Sequence, residues 1–181
     1  MKPYRAVAPL LASLLLATAA SGALAQVPRS MPQPVPAVSG VPAARDVPFP
    51  GTIALKIDAT DIVRGVFRVT ETVPVQAGQS DMILQIPLWL PGEHGPGGTV
   101  NLFADFHFFA DGKELAWKRD PVETSAFHIA VPAGAKEVTA KFVHTSPLQR
   151  SEGRIVMTPE MLSLQWEKMS LYPAGYFVRQ S

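Results

Sequence analysis

Phe67-Arg68-Val69-Thr70-Glu71-Thr72-Val73-Pro74 is the stretch that decides the fold class. Phe67, Val69, Glu71 and Val73 share one face, while Arg68, Thr70 and Thr72 share the other. A two-residue period of this kind belongs to a half-buried β-strand. Pro74 has no N–H to give a ladder, so it ends the run before the polar turn around Gly78.

Working outward, the same period recurs. Before it, Ile53, Leu55 and Ile57 alternate with Ala54, Lys56 and Asp58. After it, Met82 to Leu90 alternates Leu84, Ile86 and Leu88 against Gln85, Pro87 and Trp89, and Pro87 predicts an edge or a bulge. Farther on, Val100, Leu102, Ala104, Phe106 and Phe108 form a stripe opposite Asn101, Phe103, Asp105 and His107. Asp111-Gly112 predicts a hairpin between that run and Leu115 to Lys118. Phe127, Ile129 and Val131 mark another strand, and Val138, Ala140 and Phe142 one more. Six or seven short strands at regular spacing, without a helical pattern, predict an all-β domain: an antiparallel β-sandwich or a saddle-like sheet. Phe103, Phe106, Phe108 and Phe109 read as packing on both sheet faces.

Three segments follow from composition. Residues 1–25 have a positive start at Lys2 and Arg5, an apolar run from Leu10 to Ala20, and small residues at Ala23 and Ala25, which together read as a secretory signal peptide. Residues 26–50 carry prolines at 28, 32, 34, 36, 42, 48 and 50 and read as an extended linker. Residues 51–181 are the β domain. Removing Lys2 and Arg5 leaves 14 basic against 15 acidic residues and moves the formal charge from +1 to −1, which gives no electrostatic ground for a nucleic-acid partner. No other stretch is apolar enough to span a bilayer, so no membrane association is expected after cleavage. The absence of cysteine excludes disulfides and a lipidated-cysteine anchor. The expected location is periplasmic or secreted.

The candidate site is the loop in Ile86 to Gly98, IPLWLPGEHGPGG. Pro91-Gly92 and Gly95-Pro96-Gly97-Gly98 bracket Glu93 and His94, placing two ionisable side chains at a loop tip on a β scaffold. On the residues alone, an ordinary surface turn whose Glu and His face water is the simpler reading.

Recognisable catalytic chemistry is missing. None of His94, His107, His128 and His144 lies in an H-E-x-x-H pair. Only a set assembled across strands, His107, His128 and Glu93, would offer metal ligands, and no metal residue is assigned. The chain has no G-x-S-x-G elbow, no thiol and no G-x-x-x-x-G-K-[ST] loop, so no catalytic residue is assigned either.

Three blocks, PLWLPGEHGP, ADGKELAWKRDPVETSAFHIAVPAG and TPEMLSLQWEKMSLYPAGY, resemble the N-terminal region of the glycyl aminopeptidase family of zinc metallopeptidases, the M sixty-one peptidases. The likeness covers about Ile53 to Ser181. It implies an all-β, non-catalytic domain placed before a thermolysin-like domain that carries H-E-x-x-H. Zinc is then expected only in that catalytic domain and no cofactor in this chain. The implied partners are the downstream peptidase domain and the parent enzyme's peptide substrates. Where family members continue, this chain stops at Tyr176-Phe177-Val178-Arg179-Gln180-Ser181, which reads as a fragment with Phe177 and Val178 at an open edge. By analogy with related zinc aminopeptidases, Glu93 would receive a substrate's free α-ammonium group, with His94 beside it. The alternative is a free-standing periplasmic ligand-binding or structural β-sandwich.

Overall fold

The computed structural model describes residues 37–90, 92–98, 100–146 and 155–179. The signal peptide and residues 26–36 of the linker lie outside the described residues. The architecture is an antiparallel β-sandwich, and no α-helix occurs among the described residues.

Its larger sheet has five strands in the order β1-β2-β8-β4-β5. They are β1 (Ala54–Asp61), β2 (Val66–Pro74), β4 (Phe103–Ala110), β5 (Lys113–Glu114) and β8 (Glu137–Thr145). The facing sheet has the order β11-β3-β7-β6, formed by β3 (Asp81–Gln85), β6 (Trp117–Arg119), β7 (Ala126–Ala130) and β11 (Tyr172–Pro173). A two-stranded ribbon, β9 (Val156–Met157) with β10 (Leu162–Ser163), pairs with neither sheet, although Met157 packs into the common core.

The alternation in β2 is realised residue by residue, with Phe67, Val69, Glu71 and Val73 buried. β8 repeats it with Val138, Ala140, Phe142 and His144. Against them the second sheet presents Met82, Leu84, Phe127 and Ile129. The Phe106 and Phe127 rings meet across the sandwich with centroids 4.4 Å apart. Burying a phenylalanine side chain of this kind stabilises the fold by about 2 kcal/mol, so this aromatic layer holds the sheets together.

The hairpin expected at Asp111-Gly112 is present. Both residues have positive φ, 50° and 74°, as a two-residue turn of this hand requires, and Ala110 pairs with Lys113. Beyond it the chain departs from the expected single strand over Leu115 to Lys118. Leu115 N donates to Phe108 O in the five-stranded sheet, while Ala116 O accepts from Ala130 N in the other. Two adjacent residues thus carry the chain from one sheet to the next.

Two further expectations are corrected. Phe103 is buried and Ala104 exposed, the reverse of the anticipated stripe. The pairing of β4 with β8 shifts register between Ala104 and His107, and Asp105 adopts φ 58°, so a β-bulge inverts the phase ahead of Phe106. Pro87 does not mark an edge, because β3 already ends at Gln85 and lies between β11 and β7.

The described part of the proline-rich segment lies against the sandwich. Gly40 N donates to Asp120 Oδ2 (3.0 Å), and Arg45 Nε donates to Gly175 O (3.0 Å). Phe49 N donates to Phe177 O, while Phe177 N donates to Val47 O. The Phe177 backbone, anticipated as unpaired, is therefore satisfied on both sides.

Candidate functional site

The loop after β3 is folded back on itself. Gly97 N and Gly98 N both donate to Leu88 O, at 2.8 and 2.9 Å. Gly98 sits so close to the incoming chain that a Cβ there would come within 2.4 Å of Pro87 O, which is why glycine is needed at this position. Trp89 Nε1 donates to Glu93 O (3.0 Å), and Glu93 N donates to Leu90 O (3.1 Å).

Within this frame Glu93 is partly buried and both its carboxylate oxygens are engaged. Oε2 accepts from Leu90 N (3.0 Å), and Oε1 lies 2.6 Å from the Lys168 ammonium. The Lys168 contact, then the Leu90 amide, holds the Glu93 carboxyl below its ordinary range. His94 is exposed beside it. Sequence reasoning identified the loop but not Lys168, which approaches from a 3-10 turn, Trp166–Met169, 75 positions along the chain. No local signal in Glu93's own neighbourhood announces that partner.

Beneath the loop is a cavity of about 50 Å³, lined in part by Leu90, Glu93, Phe103, His144 and Lys168. Burial pushes His144 down to about 4, so its ring is neutral near pH 7. The Trp166–Met169 turn is itself anchored at its end. Glu71 reaches across from β2, accepting Ser170 Oγ–H at Oε1 (2.8 Å) and Leu171 N–H at Oε2 (2.7 Å). Glu71 is fully buried, and loss of hydration pushes it up to about 7, against the opposing pull of the Leu171 amide and the Ser170 hydroxyl. In the sequence Glu71 stands out as the only charge on the Phe67, Val69 and Val73 face, a signal that marks a buried acid without naming its partners.

The three groups weighed as a cross-strand metal set do not meet. His107 belongs to the five-stranded sheet, with Nδ1 2.6 Å from Glu114 Oε1 and Nε2 3.2 Å from Asp105 Oδ1. His128 belongs to the other sheet, with Nδ1 3.1 Å from Asp81 Oδ2 and Nε2 3.0 Å from Asp120 Oδ2. Glu93 pairs with Lys168 instead. Among the described residues no group of three or more His, Cys, Asp or Glu side chains is arranged to hold a metal ion.

The sandwich, its capped loop and the Lys168 turn bring together parts of the first and third sequence blocks. The profile of the peptidase M61 N-terminal domain matches residues 54–180. This chain belongs to the peptidase M61 N-terminal domain family. A search of curated proteins found no significant match. Among solved structures, the M61 domain is similar to an aminopeptidase N family protein from Idiomarina loihiensis, with a TM-score of 0.55 and 19% identity. That match covers 68% of this chain and 20% of the other, so the likeness is one of fold and the chain spans about a fifth of its relative's length.

Proposed function

We propose that this M61 N-terminal domain is the non-catalytic leader of an exported glycyl-aminopeptidase-type zinc metallopeptidase, in the periplasm or outside the cell. It helps shape the substrate site of a catalytic domain that supplies the H-E-x-x-H zinc centre. The described residues offer no ligand set for zinc, so no metal-dependent step is assigned to them.

One observation carries the reading of the site: Glu93 already holds an ammonium group. A carboxylate with one oxygen fixed by a backbone N–H and the other 2.6 Å from Lys168 Nζ has the chemistry that a peptide's free α-ammonium needs. In this reading the substrate amine takes the place of Lys168, which swings toward solvent. His94, exposed on the same loop, lies beside the incoming peptide.

The test uses an enzyme in which this domain is joined to its catalytic domain. Glu93→Gln should raise KM for free-amine peptides roughly tenfold and leave amine-blocked peptides nearly unchanged, because the lost contact is made to the charged amine. Lys168→Met should lower KM for the free-amine series. Equal responses from both substrate series would reduce Glu93 to a loop staple.

A further inference from the structure

The buried carboxylate of Glu71 and the loop carboxylate of Glu93 lie on different elements, yet a single short segment touches both. Residues 166–171 contribute Lys168 to Glu93, then Ser170 and Leu171 to Glu71. Immediately after, Tyr172–Pro173 enters the second sheet as β11, pairing with Gln85 and Leu84 just before the Glu93 loop begins.

We propose that Glu71 is a positioning residue for the Glu93 loop, acting through Ser170 and Leu171 to fix the turn that presents Lys168. Between its two anchors the turn has little freedom. Met169 and Leu171 are buried in the core, Lys168 N donates to Gln165 O (3.0 Å), and Tyr172 Oη donates to Glu167 O (3.0 Å). Loss of the Glu71 contacts frees the Leu171 amide and the Ser170 hydroxyl, and Lys168, two and three residues earlier in the chain, loses its fixed approach to Glu93.

This arrangement is sensitive to pH near neutrality. Glu71 sits opposite Leu55 on β1 and Ala140 on β8, neither of which titrates. Tyr172 is the titratable neighbour, its phenol pushed up to about 12 by burial and then by the Glu71 and Glu167 charges. Among the described residues no cation contributes to the Glu71 shift. A neutral Glu71 removes the buried charge and keeps one oxygen to accept Leu171 N–H, and the Ser170 hydroxyl, the donor to an ionised Glu71, turns to accept the Glu71 O–H. An ionised Glu71 is a buried charge with no counter-ion among the described residues and draws water into the latch. Acid therefore closes the latch, and alkali loosens it.

The purpose of the latch rests on Glu93 being the amine acceptor; its existence does not. Amide hydrogen exchange and carboxyl NMR titrations on this chain test it without any activity. From pH 6 to 8, after correction for intrinsic rates, protection of the Leu171 amide should fall about tenfold in the wild type. Glu71→Gln, which supplies the same acceptor and a permanent N–H donor, should keep that protection constant. Glu71→Ala should raise the Glu93 titration midpoint toward its ordinary value as Lys168 withdraws. The proposal is overturned if the Gln variant shows the wild-type pH dependence, or if Glu93 titrates unchanged in the Ala variant. Should Glu71→Ala fail to fold, the Gln comparison alone decides. A confirmed latch with unaltered peptide selectivity in Glu93→Gln would remove the amine-binding reading and leave the latch standing.

Discussion

Glu71 and Asp120 are both almost wholly withdrawn from water, and their ionisation is driven in opposite directions. Each ties a peripheral segment to the sandwich. Glu71 holds the C-terminal turn through two donors, Ser170 Oγ and Leu171 N. Asp120 has four: Glu123 N and Val122 N on Oδ1, then His128 Nε2 and Gly40 N on Oδ2, all between 2.8 and 3.0 Å. Those donors, the Glu123 amide foremost, outweigh desolvation and hold Asp120 far below the usual carboxylate range. For Glu71 desolvation wins. The Glu71 carboxyl lies deep and has two donors, whereas the Asp120 carboxyl is only shallowly covered and has four, so depth and donor number together set the charge of an interior acid.

The largest expected effect breaks the comparison at its stronger end. Asp120→Ala strands three backbone amides and deprives His128 of one partner, and should lower Tm by roughly 10 °C. Glu71→Gln at pH 7 should not lower it, since the amide oxygen still accepts Leu171 N–H, the Ser170 hydroxyl can turn to accept an amide N–H, and no buried charge remains. Thermal melts followed by circular dichroism give both values, and comparable losses would mean that donor count is not what separates the two sites.

A second prediction concerns pH. Glu71 has a folded pKa near 7 against an ordinary 4.5, so its contribution to stability is complete below about 4.5 and is lost as pH rises through 7. The expected loss is on the order of 3 kcal/mol. His144 acts in the opposite sense: with a folded pKa near 4, it charges on unfolding between about 4 and 6.5 and adds stability as pH rises. The Glu71 contribution is accordingly read as the difference between wild type and Glu71→Gln in urea titrations at pH 4.5 and 8. A difference that does not grow with pH would show that the native site is not desolvated.

How far the sequence revealed this arrangement follows from the range of each interaction. Strand period and the Asp111-Gly112 turn depend on neighbours within a few residues, and both were legible. The partners of Glu71 lie 99 and 100 positions away, so the lone acid on the Phe67, Val69, Val73 face was readable but its purpose was not. The same holds for Lys168 and Glu93. The bulge at Asp105 escaped because a positive φ at a non-glycine residue leaves no mark on hydrophobic alternation except a slip, and aromatic residues on both faces of β4 hid the slip. Two-residue strands such as β11 are too short to show a period.

The smallest predicted effect sharpens the Asp120 end. A methyl group at Gly40 would lie 2.9 Å from His128 Cε1, so the imidazole must shift and loosen its bonds to Asp120 and Asp81. Gly40→Ala should cost about 1 kcal/mol by urea denaturation. His128, whose pKa is raised by Asp120 and Asp81, stabilises the fold below its unfolded value and loses that effect as pH rises past its folded one. The penalty of the alanine variant should therefore shrink at alkaline pH, and a constant penalty would show that the clamp is purely steric.

Among the described residues β1 is the outermost strand of the larger sheet, and its outer side is a row of backbone donors and acceptors of the kind on which another copy could polymerise. The register against β2 slips between Asp58 and Asp61, and Lys56 and Asp58 project charges from the exposed face. A second molecule adding to this strand would have to match a broken register and confront those charges. The irregularity that looks like an imperfection in the hairpin is thus a feature of the kind that disfavours edge-to-edge joining of copies.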